Sequence, residues 1–126
     1  MNARALALAS SLALASAACE PSPETFSFEP RSGQVIVGEA GARRVSLVEG
    51  DVFVLDTTPL DDDFDPMDLC VRASSTAPER VEVRGVRGSC RMFVVSAKAV
   101  GSATVTFVAR EGGATLRVDV TAPPER

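Results

Sequence analysis

The strongest constraint in this chain is a two-residue alternation of apolar and polar side chains that returns along most of its length. Phe26 and Phe28 alternate with Thr25 and Ser27, Val45 and Leu47 flank Ser46, and Val81 and Val83 alternate with Glu82 and Arg84. Ala103, Val105 and Phe107 interleave with Thr104 and Thr106, and Leu116, Val118 and Val120 with Arg117 and Asp119. A strand turns successive side chains to opposite faces, so each run has one dry side and one wet side. Val supplies 17 residues, all from Val35 onward, and β-branched side chains suit a half-buried pleated surface. No amphipathic run is long enough for a helix. Gly33, Gly38, Gly41, Gly50, Gly85, Gly88 and Gly101 fall at or beyond the ends of the runs, as do the prolines from Pro30 onward. Ala109 to Gly113 reads as a hairpin connection in which glycine supplies the positive φ of a tight turn. Seven to nine short strands between residues 25 and 122 predict an all-β sandwich. Its expected core is Val45, Leu47, Leu69, Val71, Val81, Val83, Val105, Phe107, Leu116, Val118 and Val120.

The first 18 residues have a different composition. Arg4 and the amino terminus give a positive start, Ala5 to Ala15 form an apolar stretch, and Ser16, Ala17 and Ala18 are small. That order is the order of a secretory signal, and the apolar run is too short for a stable bilayer span of ~20 residues. Ala17-Ala18-Cys19 resembles the lipobox of bacterial lipoproteins, with Ser16 where that family prefers Leu. The resemblance implies that Cys19 is lipidated and becomes the mature N-terminus. Glu20 after the Cys implies outer-membrane sorting on the same resemblance. Cleavage after Ala17 or Ala18 by an ordinary signal peptidase is the other reading, and it releases a soluble secreted protein.

Cysteine arithmetic bears on that choice. The chain has 3 Cys, an odd number for an exported protein, so one is free, intermolecular or modified. Lipidation of Cys19 leaves Cys70 and Cys90 as a pair in an oxidising compartment. Cys70 shares its parity with Asp68 and Arg72, whereas Leu69 and Val71 have the inward parity. The pair is therefore expected to be a peripheral staple. Pro21-Ser22-Pro23-Glu24 reads as a semi-extended spacer. The expected layout is a signal peptide over 1–18, a lipidated Cys and tether over 19–24, a sandwich over 25–122 and a tail over 123–126.

From Arg72 to Thr121 the sequence resembles bacterial immunoglobulin-like domains of group 2, the kind found in invasins and intimins. Ala73-Ser74-Ser75 with Pro78, Val81 and Val83 is similar to the family's segment after a central strand. Val94, Val95, Ala97 and Gly101 with Ala103, Val105 and Phe107 resemble the next segment, and Gly113, Val118 and Val120 the closing strand. Gly50, Val52, Val54 and Leu55 match the first half loosely, and Val71 replaces an aromatic. The resemblance implies a Greek-key, immunoglobulin-like sandwich acting as a binding or structural module of the cell envelope.

The remaining constellations narrow the chemistry. With no His at all, the commonest general base and metal ligand are missing, and Lys98 is the only lysine for a Ser–Lys dyad. A non-enzymatic protein without a cofactor is expected. Net charge −4 without a basic stripe argues against nucleic acid. Asp61, Asp62, Asp63, Asp65 and Asp68 crowd one segment, and the spacing of Asp61, Asp63 and Asp65 resembles the start of an EF-hand calcium loop. Pro66 stands where that loop needs Gly and Arg72 where it needs a bidentate Glu, so a solvated acidic loop without metal is expected. Arg80, Arg84, Arg87 and Arg91 supply the opposite charge, as a solvated face or a contact surface for an anionic partner such as lipopolysaccharide. The expected partners are a membrane, through the lipid on Cys19, and a protein or envelope glycan at loops Thr57–Met67 and Gly85–Ser89.

Overall fold

The computed structural model describes residues 22–125; the leader, Cys19 and the start of the tether lie outside the described residues. The alternating runs become eight strands: β1 (Thr25–Pro30), β2 (Arg44–Val48), β3 (Val52–Leu60), β4 (Arg72–Ser75), β5 (Val81–Gly85), β6 (Met92–Ala97), β7 (Gly101–Ala109) and β8 (Gly112–Thr121). They form two four-stranded sheets, ordered β1-β3-β6-β5 and β2-β8-β7-β4. Five of the seven connections cross from one sheet to the other. This is the Greek-key order of an immunoglobulin-like sandwich, with β2 added to the second sheet beside the last strand. All pairings are antiparallel except β2 with β8, which is parallel.

The register sets two distinct ends. Thr25 pairs with Leu60 and Ala109 with Gly112 at the end where the described chain enters. Val48 pairs with Thr121 at the end where β8 finishes. These are called the N-terminal and C-terminal ends below. Near the former the core is aromatic: the Phe107 ring lies 5.0 Å from Phe28 and 5.6 Å from Phe93, with Phe26 fully buried beside them. Near the latter it is aliphatic, with Leu47, Val81, Val95, Ala97, Ala103 and Val120 around Phe53.

Nine of the eleven expected core residues are buried, and Leu69 and Val83 are only partly so. Leu69 precedes β4 in an irregular loop, and Val83 sits on β5, an edge strand. The larger omission is β3, where Phe53, Leu55, Thr57 and Pro59 turn inward while Val52 is exposed. Val52-Phe53-Val54-Leu55 is apolar without a break, so its pattern carries no phase. Thr57 tolerates full burial because its hydroxyl donates to the Arg91 carbonyl at 2.7 Å. Pro59 lies inside β3 rather than at a strand end. The β6 pairing stops at Asp56, so beyond it a residue without an N–H costs no ladder bond.

Three further expectations are corrected. Ala73-Ser74-Ser75 does not follow a central strand; with Arg72 it is the strand, Ser74 pairing with Thr106. The Val71 N–H is spent on the Cys90 carbonyl, so the ladder to β7 begins one residue later. In the β7–β8 hairpin the positive φ belongs to Arg110, at 53°, and neither Gly112 nor Gly113 is left-handed. Gly112 is needed for space, since a Cβ there would lie 2.6 Å from the Pro23 carbonyl oxygen. Pro23 is itself buried, and the Glu24 N–H donates to the Leu60 carbonyl at 2.9 Å. The sandwich thus takes in two residues of the expected spacer.

Candidate functional site

The two loops singled out in the sequence meet at the N-terminal end. Thr57 to Leu60 belong to β3 and Gly85 to β5, so the loops proper run over 61–71 and 86–91. Cys70 and Cys90 join them in a disulfide with Cα atoms 4.9 Å apart. Both cysteines are exposed, and the bond links the approach to β4 in one sheet with the approach to β6 in the other. It is a staple across the end of the sandwich, outside the core. Backbone bonds reinforce it: the Val71 N–H donates to the Cys90 carbonyl at 2.8 Å, and the Thr57 N–H to the Arg91 carbonyl at 2.9 Å.

Within the first loop the Asp61 carboxylate accepts the N–H groups of Asp63 and Asp65 at 2.9 and 3.0 Å. The Asp61 N–H donates to the Asp65 carbonyl, and Phe64 takes a left-handed φ of 62° at the tip. Carboxylate oxygens of Asp61, Asp63 and Asp65 lie within 4.8 Å of one another. This is how a short chain closes on its own side chain, and it gives the Asp61 carboxylate a role within the loop. Phe64 is 71% exposed there.

The four arginines do not form one surface. Arg80 packs across Gly101 at the C-terminal end. Arg84 pairs with Glu82 at 2.9 Å on the edge strand β5. Arg87 lies in the second loop, and Arg91 aims a long 3.5 Å contact at the Met67 carbonyl. Arg80 thus lies at the opposite end of the molecule from the loop that holds Arg87 and Arg91. Lys98 pairs with Glu82 at 2.8 Å and is half-exposed, so it is committed to a carboxylate. That bond holds Glu82 below the usual carboxylate range.

A residue that the sequence reading passes over has the most unusual environment. Arg43 precedes β2 and lies in register with Val45 and Leu47, on the inward parity. Its guanidinium donates to the Phe26 carbonyl at 2.5 Å and stacks 4.7 Å from the centre of the Phe28 ring. Burial pushes its pKa down, and none of the ion pairs among the described residues includes it. Beside it a cavity of about 430 Å³ opens between the start of β1 and the start of β8, lined by Glu24, Ala40, Gly113 and Thr115 among others. The sequence carries a signal for this: the two-residue alternation runs backwards from Leu47 and Val45 onto a cation.

No family model matches the sequence, and no curated protein is similar to it. Solved structures are similar in fold. Domains 1–6 of the surface layer protein SbsC superpose with a TM-score of 0.61 at 21% identity, covering 84% of this chain and 14% of that one. Domains 4 and 5 of the same S-layer protein give 0.57 at 17% identity, covering 78% and 77%. The structure of rSbsC(31-844) gives 0.56 at 15% identity, covering 85% and 21%. The chain thus spans about a seventh of the first of these, and at such identities the likeness is one of fold: an immunoglobulin-like β-sandwich.

Proposed function

We propose that this protein is a non-enzymatic envelope lipoprotein, a single group 2 immunoglobulin-like domain held to a membrane by acyl chains on Cys19 and serving as a binding or structural module. The observation that carries this reading is the use of cysteine. Cys70 and Cys90 pair with each other, which leaves Cys19 as the odd one of 3, placed after a run of small residues. A disulfide in so small a domain fits an oxidising, extracytoplasmic compartment. The similar folds come from a surface layer protein, which is in keeping with an envelope address. Two or more acyl chains make a stable anchor where one is marginal.

Anchoring at Cys19 has a geometric consequence. With Pro23 packed on the sandwich, residues 19–22 would span about 12 Å at the 3.1 Å per residue of a proline-rich linker. The loops over 61–71 and 86–91 then sit next to the bilayer, and the C-terminal end stands roughly 35 Å farther out along β8. A partner of those loops would belong to the membrane-proximal layer. Mass spectrometry of the mature N-terminus, with palmitate labelling in cells, tests the proposal. The expected result is an acylated Cys19 in the membrane fraction. An unmodified N-terminus at Ala18 in a soluble fraction would overturn it and favour a secreted inhibitor or carrier.

A further inference from the structure

β8 is ten residues long, but its partner β2 covers only the half from Arg117 to Thr121. Backbone polar groups alternate sides along a strand. The Arg117 N–H turns outward to the Arg43 carbonyl, so Gly113 and Thr115 turn their N–H and C=O groups the same way. No strand pairs with them there among the described residues. They border the cavity of about 430 Å³, within the range of small-ligand sites. Its walls are small side chains, Ala40 and Gly113 among them, which leaves room for a backbone to approach. A half-buried, desolvated guanidinium without a carboxylate, Arg43, stands at its inner end.

We propose that this slot binds the C-terminus of an extended peptide, added to β8 as a short parallel strand in line with β2, with its terminal carboxylate on Arg43. Strand addition supplies affinity through the Gly113 and Thr115 backbone groups, and the carboxylate fixes direction and register. Parallel entry follows from the charge: only a chain running in the direction of β8 brings its C-terminus to the β2 side. A carboxylate completes an Arg43 hydrogen-bond set that one carbonyl leaves short, and such charge-assisted bonds are the stronger kind. Glu24 at the outer mouth matches a basic residue upstream in the peptide.

The test is titration of the ¹⁵N-labelled full chain with acetyl-Lys-Val-Thr-Val bearing a free C-terminus, and with the same peptide amidated. The free acid is expected to shift the Gly113 and Thr115 amides and to bind at least tenfold more tightly than the amide. Arg43→Met should reduce the acid to the level of the amide. Thr115→Pro replaces an N–H that faces the slot and not β7 with a ring carbon, so no β7 ladder bond is removed; it should abolish binding of both, and the test survives if the Arg43 variant misfolds. Equal binding of acid and amide, shifts that bypass Gly113 and Thr115, or binding of decanoate without binding of the peptide would each overturn the proposal. The slot does not depend on the lipid anchor, so its failure and that of the envelope assignment are read out separately.

Discussion

The two ends of the sandwich are held together by different means. At the C-terminal end the turns are short and stitched by backbone bonds: the Gly50 N–H donates to the Ala97 carbonyl, the Ala97 N–H to the Asp51 carbonyl, and the Lys98 N–H to the Arg80 carbonyl. The core above them is mostly aliphatic, with Phe53 as its one aromatic ring. At the N-terminal end the β7–β8 hairpin is tight, but the other two connections are irregular loops, and there a disulfide and a cluster of phenylalanines take over. The contrast teaches that regular hydrogen bonding over a mostly aliphatic core suffices where connections are short. Long loops bring chain entropy that needs either a covalent clamp or large buried surfaces to offset it.

The largest expected effect falls on the aromatic end. Phe107 is fully buried and touches both Phe28 and Phe93, so Phe107→Ala should cost about 3–5 kcal/mol in urea unfolding. Next comes the clamp. The disulfide closes a loop with a sequence separation of 20, and replacing Cys70 and Cys90 by Ser should cost about 3 kcal/mol. Hydrogen exchange sharpens the comparison: amides over 61–71 and 86–91 should lose protection in the double mutant while Ala97 and Lys98 keep theirs. Uniform loss at both ends would break the distinction. At the other end Gly50 adopts φ +98°, and a Cβ placed there would have nothing within 4 Å. Gly50→Ala therefore meets no clash, only backbone strain, and should cost about 1–2 kcal/mol.

The same contrast governs what could be read from the sequence. Runs with polar interruptions, such as Val45-Ser46-Leu47 and Leu116-Arg117-Val118, announce both strand and inward face. Val52 to Leu55 announces a strand without its face, because four apolar residues in succession fit either phase. Strand β4 escapes such a reading because Arg72-Ala73-Ser74-Ser75 is mostly polar and becomes a strand only by pairing with β7, a contact distant in sequence. The staple is legible from cysteine count and parity, since Cys70 falls on the exposed side of an alternation. The slot beside β8 is not, because it comes from a mismatch in length between β2 and β8, and strand pairing sets that length. Arg43 alone is visible, as a charge on the inward parity.

The smallest expected effect tests whether charge matters at the better-stitched end. The Asp119 carboxylate accepts the Ser102 hydroxyl at 2.6 Å and the Arg117 Nε–H at 2.9 Å. These bonds, the Ser102 bond foremost, hold its pKa below the ordinary aspartate value. A group that titrates lower in the folded state contributes stability that is fully present above its unfolded pKa and is lost as pH falls through its folded pKa. The pair is partly solvated, so Asp119→Asn should cost less than about 1 kcal/mol at neutral pH. The deficit should shrink as pH drops through the carboxylate range, because the wild-type group loses its charge there too. It should also shrink with added salt, which screens the Arg117 contact. A deficit that stays constant down to the acid limit would mean that Asp119 acts through hydrogen-bond shape alone.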